Sequence, residues 1–228
     1  HAWTFSNYDG LFRDSYFTQY FRNTFVVCGA SVLISLVFGS LAAYSLARFE
    51  LLLGLERKLG FGILTVRILP PVVLVVPLFL VALRFHLLNS WLGLILAYSA
   101  FNVSFVVWMM ESFFREIPRD LEEASMVDGS SRMTAFRRIT LPLAAPGLVA
   151  TAIFAVIVTY NEFLVALVLT SSPSSETVPV GASTLITRID IDWGAMSAAG
   201  TLAVLPIILF ALLVQRHLVR GMTLGAIK

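Results

Sequence analysis

The chain is 228 residues long, 58% hydrophobic and only 13% charged, whereas an ordinary soluble domain is about 45–50% apolar and about 25% charged. With a mean hydropathy of +0.86, this composition excludes a soluble enzyme and a disordered tail. The net charge of +2 is too small for a nucleic-acid footprint, and one cysteine, Cys28, with three scattered histidines offers neither an internal disulfide nor a metal cluster.

A helix needs roughly 20 mostly apolar residues to cross the hydrocarbon of a bilayer. Five stretches qualify: residues 23–47, 60–83, 91–110, 147–170 and 197–215. They are continuous apolar runs and lack the ten-residue alternation of barrel strands, so the expected fold is an all-α, polytopic transmembrane bundle forming a single domain over residues 1–228. Before the first stretch, residues 1–22 are polar and aromatic (Trp3, Phe5, Tyr8, Phe12) and read either as an interfacial segment or as a flexible tail. Gly39, Ala42 and Ala43 in the first stretch favour close helix packing. In the second, Arg67 lies near one edge, where it can snorkel to headgroups, and Pro70, Pro71 and Pro77 are expected to kink the helix.

Positive charge sets the orientation. Eleven of the sixteen basic residues fall on one side: Arg48, Arg57 and Lys58, then Arg115, Arg119, Arg132, Arg137 and Arg138, then Arg216, Arg220 and Lys228. Arg13, Arg22, Arg84 and Arg188 fall on the other side. The alternation places the C-terminus in the cytoplasm and His1 outside, and an extracytoplasmic start leads us to expect a further span ahead of this numbering.

The cytoplasmic loop, residues 111–146, holds eleven of the thirty charged residues. Pro118 suits the first turn of a helix, followed by Asp120, Glu122 and Glu123 at the positive end of its dipole. Gly129 can end that helix in a left-handed conformation, and Ser130 can cap a second helix carrying Met133, Phe136 and Ile139 on one face. Leu141-Pro142 is expected to end it and Pro146 to open the fourth span.

The run Glu123-Ala124-Ser125, three residues, Gly129, nine residues, Ile139-x-Leu141-Pro142 resembles the EAA loop of ABC-importer permeases, with Ser125 in place of the second Ala. Trp3-x-Phe5-x-Asn7-Tyr8, Arg22-Asn23-Thr24, Asn161-Glu162-Phe163, Asp192-Trp193-Gly194 and Arg220-Gly221-Met222-Thr223-Leu224-Gly225-Ala226 extend the resemblance to the carbohydrate-importer branch and its maltose-permease-like subunits. The resemblance implies a type I importer fold, with the further span already inferred, in a prokaryotic cytoplasmic membrane. It also implies a second related permease, two ATPase subunits that carry the ATP and Mg, and an extracytoplasmic binding protein. No cofactor is expected on this chain, which has no Gly-x-x-x-x-Gly-Lys-Ser/Thr loop.

On that resemblance Glu123, Ala124, Ser125, Asp128, Gly129, Ser130, Ile139, Leu141 and Pro142 form the surface that docks an ATPase, and the basic tail reaches towards it. The bland account of the loop is an amphipathic pair lying on lipid, with Arg132, Arg137 and Arg138 towards headgroups.

Within the spans, Tyr160, Asn161 and Glu162 fall in the outer half of the fourth, and Asn102 in the third. A carboxylate at that depth faces a bundle interior or a watery route. Asn and Glu can hydrogen-bond sugar hydroxyls and Tyr160 can stack on a sugar face; a helix–helix hydrogen bond is the competing account. In the outer loop, Asp190, Asp192 and Trp193 could meet the binding protein or merely anchor a solvated loop. The leading function is thus ATP-driven import of a sugar-like solute by alternating access. The alternatives are a permease of the same loop family for a polyamine or phosphodiester, an ion-coupled secondary transporter, and a membrane-embedded hydrolase. Against the secondary transporter stands Glu162 as the one intramembrane carboxylate; against the hydrolase, the lack of any nucleophile motif.

Overall fold

A computed structural model describes residues 5–13, 15–49, 55–185 and 192–224. Trp3, Arg188, Asp190 and the end of the basic tail lie outside the described residues, as do the side chains of Arg67, Arg216 and Arg220. Among the described residues there is no strand. The elements are α1 (Ser6–Arg13), α2 (Ser15–Arg48), α3 (Leu55–Ile68), α4 (Pro71–Arg84), α5 (Trp91–Glu116), α6 (Arg119–Val127) and α7 (Arg132–Ala135). A five-residue π-turn (Phe136–Thr140) follows, then α8 (Leu141–Leu143), α9 (Ala145–Tyr160), α10 (Leu164–Leu169), α11 (Val178–Ser183) and α12 (Trp193–Leu224).

Three of the five expected spans are single helices long and apolar enough to cross a membrane: Tyr16–Arg48, Trp91–Glu116 and Trp193–Leu212. The other two are interrupted. The second is broken at Leu69–Pro70 instead of kinked: Pro70 disfavours a helical residue before it, and Pro71 sits in the first turn of α4, where its missing N–H costs nothing. Pro77 is accommodated inside α4. The fourth span stops at Tyr160 and restarts at Leu164.

The chain divides into two compact units. The first comprises His1–Ser31, Leu69–Ser99 and Val156–Leu213. Its core joins Leu11 of α1, Phe17 and Tyr20 of α2, Val178 of α11, and Ala198 and Ala199 of α12. Gly181 permits a close approach here, because a Cβ would collide with the Tyr20 ring. Buried polar side chains are absorbed locally. Thr24 donates to the Tyr20 carbonyl at 2.8 Å and accepts the N–H of Val178, at the start of α11, at 2.8 Å. Asn23 donates to the carbonyls of Pro173 and Glu176 and accepts from the Trp91 indole at 3.0 Å. The serine-rich stretch after α10 is likewise tethered: Asn89 Oδ1 accepts from the Ser171 N–H and from the Ser172 and Ser175 hydroxyls.

The second unit comprises Val32–Ile68, Ala100–Ala155 and Val214–Lys228. Ala43, Tyr44 and Ala47 of α2 pack against Val106, Met110 and Phe114 of α5, and Phe136 and Ala144 close the cluster. The Tyr44 and Phe136 ring centroids are 4.5 Å apart. Of the small residues expected to bring helices together, Gly39 does so: a Cβ there would lie 2.7 Å from Val106. Gly39→Leu should therefore force α2 away from α5 at a cost of about 1–3 kcal/mol, read as a lower melting temperature in detergent. Gly29, whose added Cβ would meet nothing within 4 Å, is the matched control.

Candidate functional site

The loop between α5 and α9 belongs to the second unit. Pro118 stands just ahead of α6, in an extended conformation at its N-cap, and Asp120 and Glu122 occupy the first turn. At the far end Gly129 adopts φ +89 as expected, so its N–H reaches the Met126 carbonyl and that of Ser130 reaches Ser125. Ser130 is thereby spent on closing α6. The cap of α7 is Ser131, whose side chain accepts the Thr134 N–H at 3.2 Å, which corrects the expected cap by one residue.

The expected face of Met133, Phe136 and Ile139 is also corrected. Met133 is half exposed and Ile139 partly buried, whereas Ala135, Phe136, Thr140 and Ala144 are buried. The π-turn widens the helical repeat and rotates Thr140 inwards, a local device that recurs at functional sites. Pro142 does not end the helix; it lies in the first turn of α8, and Leu141 is partly buried. The axis bends by 73° between Arg132–Leu143 and Ala145–Tyr160.

On the outer side of α6, Glu123, Ala124, Asp128 and Gly129 are exposed, and Ser125 and Ser130 partly so. Leu121 and Val127 are exposed apolar neighbours, Val127 by 88%. These side chains are arranged as a surface that another protein can contact. The residue missed by the sequence reading is Glu122. Neighbouring residues on a helix point roughly 100° apart, so with Glu123 outside, Glu122 turns in and is 6% exposed.

Its Oε2 accepts from the Tyr44 hydroxyl at 2.6 Å, and its Oε1 from Arg48 Nε at 2.7 Å and the Thr140 hydroxyl at 2.7 Å. Burial pushes this carboxyl upwards, but the hydrogen bonds from Tyr44, Thr140 and Arg48 and the guanidinium charge outweigh it and hold the group below the ordinary carboxylate value. Arg48 Nη2 also donates to the Ile117 carbonyl at 2.9 Å. Arg115 and Arg119 donate to the Leu46 and Ala47 carbonyls at the end of α2, groups with no intrahelical partner.

The residues considered for a solute route are spread over both units. Asn102, on α5 in the second unit, is buried. In the first unit Tyr160 is buried, donates to the Ala203 carbonyl at 3.0 Å and meets the Phe25 ring edge-on. Asn161 is exposed and donates to the Ile157 carbonyl at 2.8 Å. Glu162 lies in the break between α9 and α10, not within a continuous span. Its carboxylate accepts the N–H groups of Val165 and Ala166 at 2.9 and 3.2 Å, capping α10 and favouring the positive end of its dipole. Tyr160, Asn161 and Glu162 are consecutive where the helix opens, but their side chains bond to different partners. Just ahead of α12, Asp192 caps that helix through the Ala195 N–H at 2.9 Å, and Trp193, its first residue, is exposed.

Known proteins place this arrangement in a family. Residues 35–224 match the model of the "Binding-protein-dependent transport system inner membrane component" family. The chain is 37% identical to the trehalose transport system permease protein SugB of Mycobacterium tuberculosis over 99% of its own length and 82% of that protein. It is 37% identical to the sulfoquinovosyl glycerol transport system permease protein SmoH of Agrobacterium fabrum over 100% and 79%. With the trehalose/maltose transport system permease protein MalG of Thermococcus litoralis it shares 34% over 99% and 81%. Its fold is similar to a chain of a bacterial ABC transporter that imports alginate, with TM-score 0.77, 22% identity and coverage of 93% and 79%. A chain of the MetNI methionine ABC transporter gives TM-score 0.68, 21% identity and coverage of 89% and 93%. The chain belongs to the binding-protein-dependent transport system inner membrane component family, as a multi-pass permease subunit of an ABC importer.

Proposed function

We propose that this chain carries a sugar or small glycoside across a prokaryotic cytoplasmic membrane, with ATP and Mg bound by two separate ATPase subunits. A second, related permease completes the pore and an extracytoplasmic binding protein delivers the solute. The observation that carries the reading is the exposed Glu123–Gly129 side of α6, on the face that charge distribution assigns to the cytoplasm together with the C-terminus. Support for the solute comes from relatives named for trehalose, trehalose/maltose and sulfoquinovosyl glycerol transport. Support for the delivering partner comes from a structural neighbour, an alginate transporter in complex with an alginate pentasaccharide-bound periplasmic protein.

Small side chains at Ala124, Ser125 and Gly129 let a partner backbone come close, and Glu123 and Asp128 can accept charge-assisted hydrogen bonds from it. Ser130 would set the position of that surface where α6 closes, and Ile139, Leu141 and Pro142 at the π-turn and α8. Purification in mild detergent should bring down an ATPase with a phosphate-binding loop at two copies per complex. Solute uptake by the chain reconstituted alone would contradict the reading.

For the solute route, the polar break around Tyr160, Asn161 and Glu162 would offer hydrogen bonds and a ring face to sugar hydroxyls, with Asn102 a further contributor. Asn161→Ala removes an exposed amide that donates to the Ile157 carbonyl one turn back in α9, and should raise the apparent KM several-fold with little change in protein level. Glu162→Gln should lower transport while retaining part of the α10 cap, whereas Glu162→Ala should also lose about 0.5–2 kcal/mol of stability. Unchanged apparent affinity and rate in Asn161→Ala and Glu162→Gln would exclude these residues from the route.

A further inference from the structure

A helix pushed by an external motor moves the rest of the molecule only if it is joined to it. α6 has nine residues, about 13 Å at 1.5 Å per residue, and its outer side is exposed. Its attachment runs through the inner side, and there one carboxylate collects three elements. Glu122 of α6 receives Tyr44 and Arg48 from the end of α2 and Thr140 from the π-turn that leads through α8 into α9. Three arginines then cross the same junction. Arg48 reaches from α2 to the Ile117 carbonyl, while Arg115 and Arg119 reach back to the Leu46 and Ala47 carbonyls.

We propose that Glu122 is a positioning residue whose buried bonds to Tyr44, Arg48 and Thr140 form a rigid joint, so that α6, the end of α2 and the π-turn are displaced as one block during transport. The inference rests on the reading of α6 as the ATPase-facing helix. Apolar side chains can slide past one another at little cost, but a shift of α6 by one residue would strip a buried carboxylate and a buried guanidinium of their partners together. Side-chain exposures of 5% for Arg48 and 8% for Glu122 leave no room for water to replace those bonds, so the junction resists shear. Tyr44 adds a second restraint, because the ring that donates to Glu122 is packed against both Phe114 and Phe136, which also meet each other.

The test uses the whole complex in proteoliposomes. Tyr44→Phe and Thr140→Val each remove one donor and keep the ion pair; Glu122→Gln keeps the shape and removes the charge. Solute moved per ATP hydrolysed should fall roughly 5-fold or more, the range of ordinary coupling energies, while hydrolysis by the assembled complex stays close to the parent's. Losses of transport and hydrolysis in strict proportion to the amount of folded complex, or no change in the ratio, would overturn the joint.

A second measurement does not depend on variants of the joint. Spin labels at Ser45 and Asp120, both exposed, should keep the same separation without nucleotide and in the ATP-trapped complex, and Glu122→Gln should broaden it. A separation that changes between the two states, with the ATPase present, would overturn the joint alone. Absence of an ATPase from the purified complex would overturn the coupling reading instead.

Discussion

Glu123→Ala and Gly129→Asp should each leave the protein in the membrane and cut uptake by about tenfold or more, the effect of losing about 1.4–3 kcal/mol at a contact with a partner. Within the chain neither change removes packing. Glu123 is exposed, and a Cβ added at Gly129 would meet nothing within 4 Å. The internal cost at Gly129 is conformational, because φ +89 disfavours a residue with a side chain by about 1–2 kcal/mol. Gly129→Ala bears that same cost without the carboxylate, so it separates backbone strain from obstruction of a partner. Protein level by immunoblot, ATPase co-purification and uptake are the three readings. Normal substrate-stimulated ATP hydrolysis in both Glu123→Ala and Gly129→Asp would remove the coupling role from this surface.

The largest effect on stability should come from the neighbouring carboxylate. Glu122→Ala leaves the Arg48 guanidinium buried without a counter-charge and orphans the hydroxyls of Tyr44 and Thr140, a loss of about 3–5 kcal/mol. The Arg115–Glu111 pair has the same 2.7 Å separation, but its arginine side chain is 53% exposed, so breaking it should cost under about 1 kcal/mol. Detergent melting temperatures of Glu122→Ala and Glu111→Ala would show this contrast directly, and equal shifts would contradict it.

A pH dependence follows from the same group. Its folded-state pKa lies below the ordinary 4.5, so its stabilising contribution is complete above that value and is lost as pH falls through the lower, folded-state pKa. Stability of the parent should therefore decline on acidification below about 4.5, and that of Glu122→Gln should decline less over the same interval.

Much of this was legible in the residues. Apolar length located the three helices long enough to cross a membrane, and Gly129 announced the end of α6 because few other residues take positive φ. The two broken spans were hidden, since hydropathy sums over a window and is blind to where the backbone stops. Pro70-Pro71 carried the signal for one break, while the break at Asn161–Phe163 depends on Glu162 turning back to cap α10, a choice that polarity alone does not dictate.

The face of the loop's second helix was misplaced for a similar reason. Counting by helical repeats selects Met133, Phe136 and Ile139, but the π-turn inserts an extra residue and delivers Thr140 instead. Glu122 and Glu123 were adjacent acids with equal claims on the helix dipole. Which one turned inwards was decided by Tyr44 and Arg48, more than seventy residues away. Helix geometry did require that the two acids diverge, and that was the available clue.

The most direct test of the account is solute uptake into proteoliposomes containing the purified complex, binding protein outside and ATP inside. The account predicts accumulation that requires hydrolysable ATP and stops when the ATPase subunits are inactivated or left out. Equal accumulation with a non-hydrolysable analogue, or by this chain without any ATPase, would contradict it.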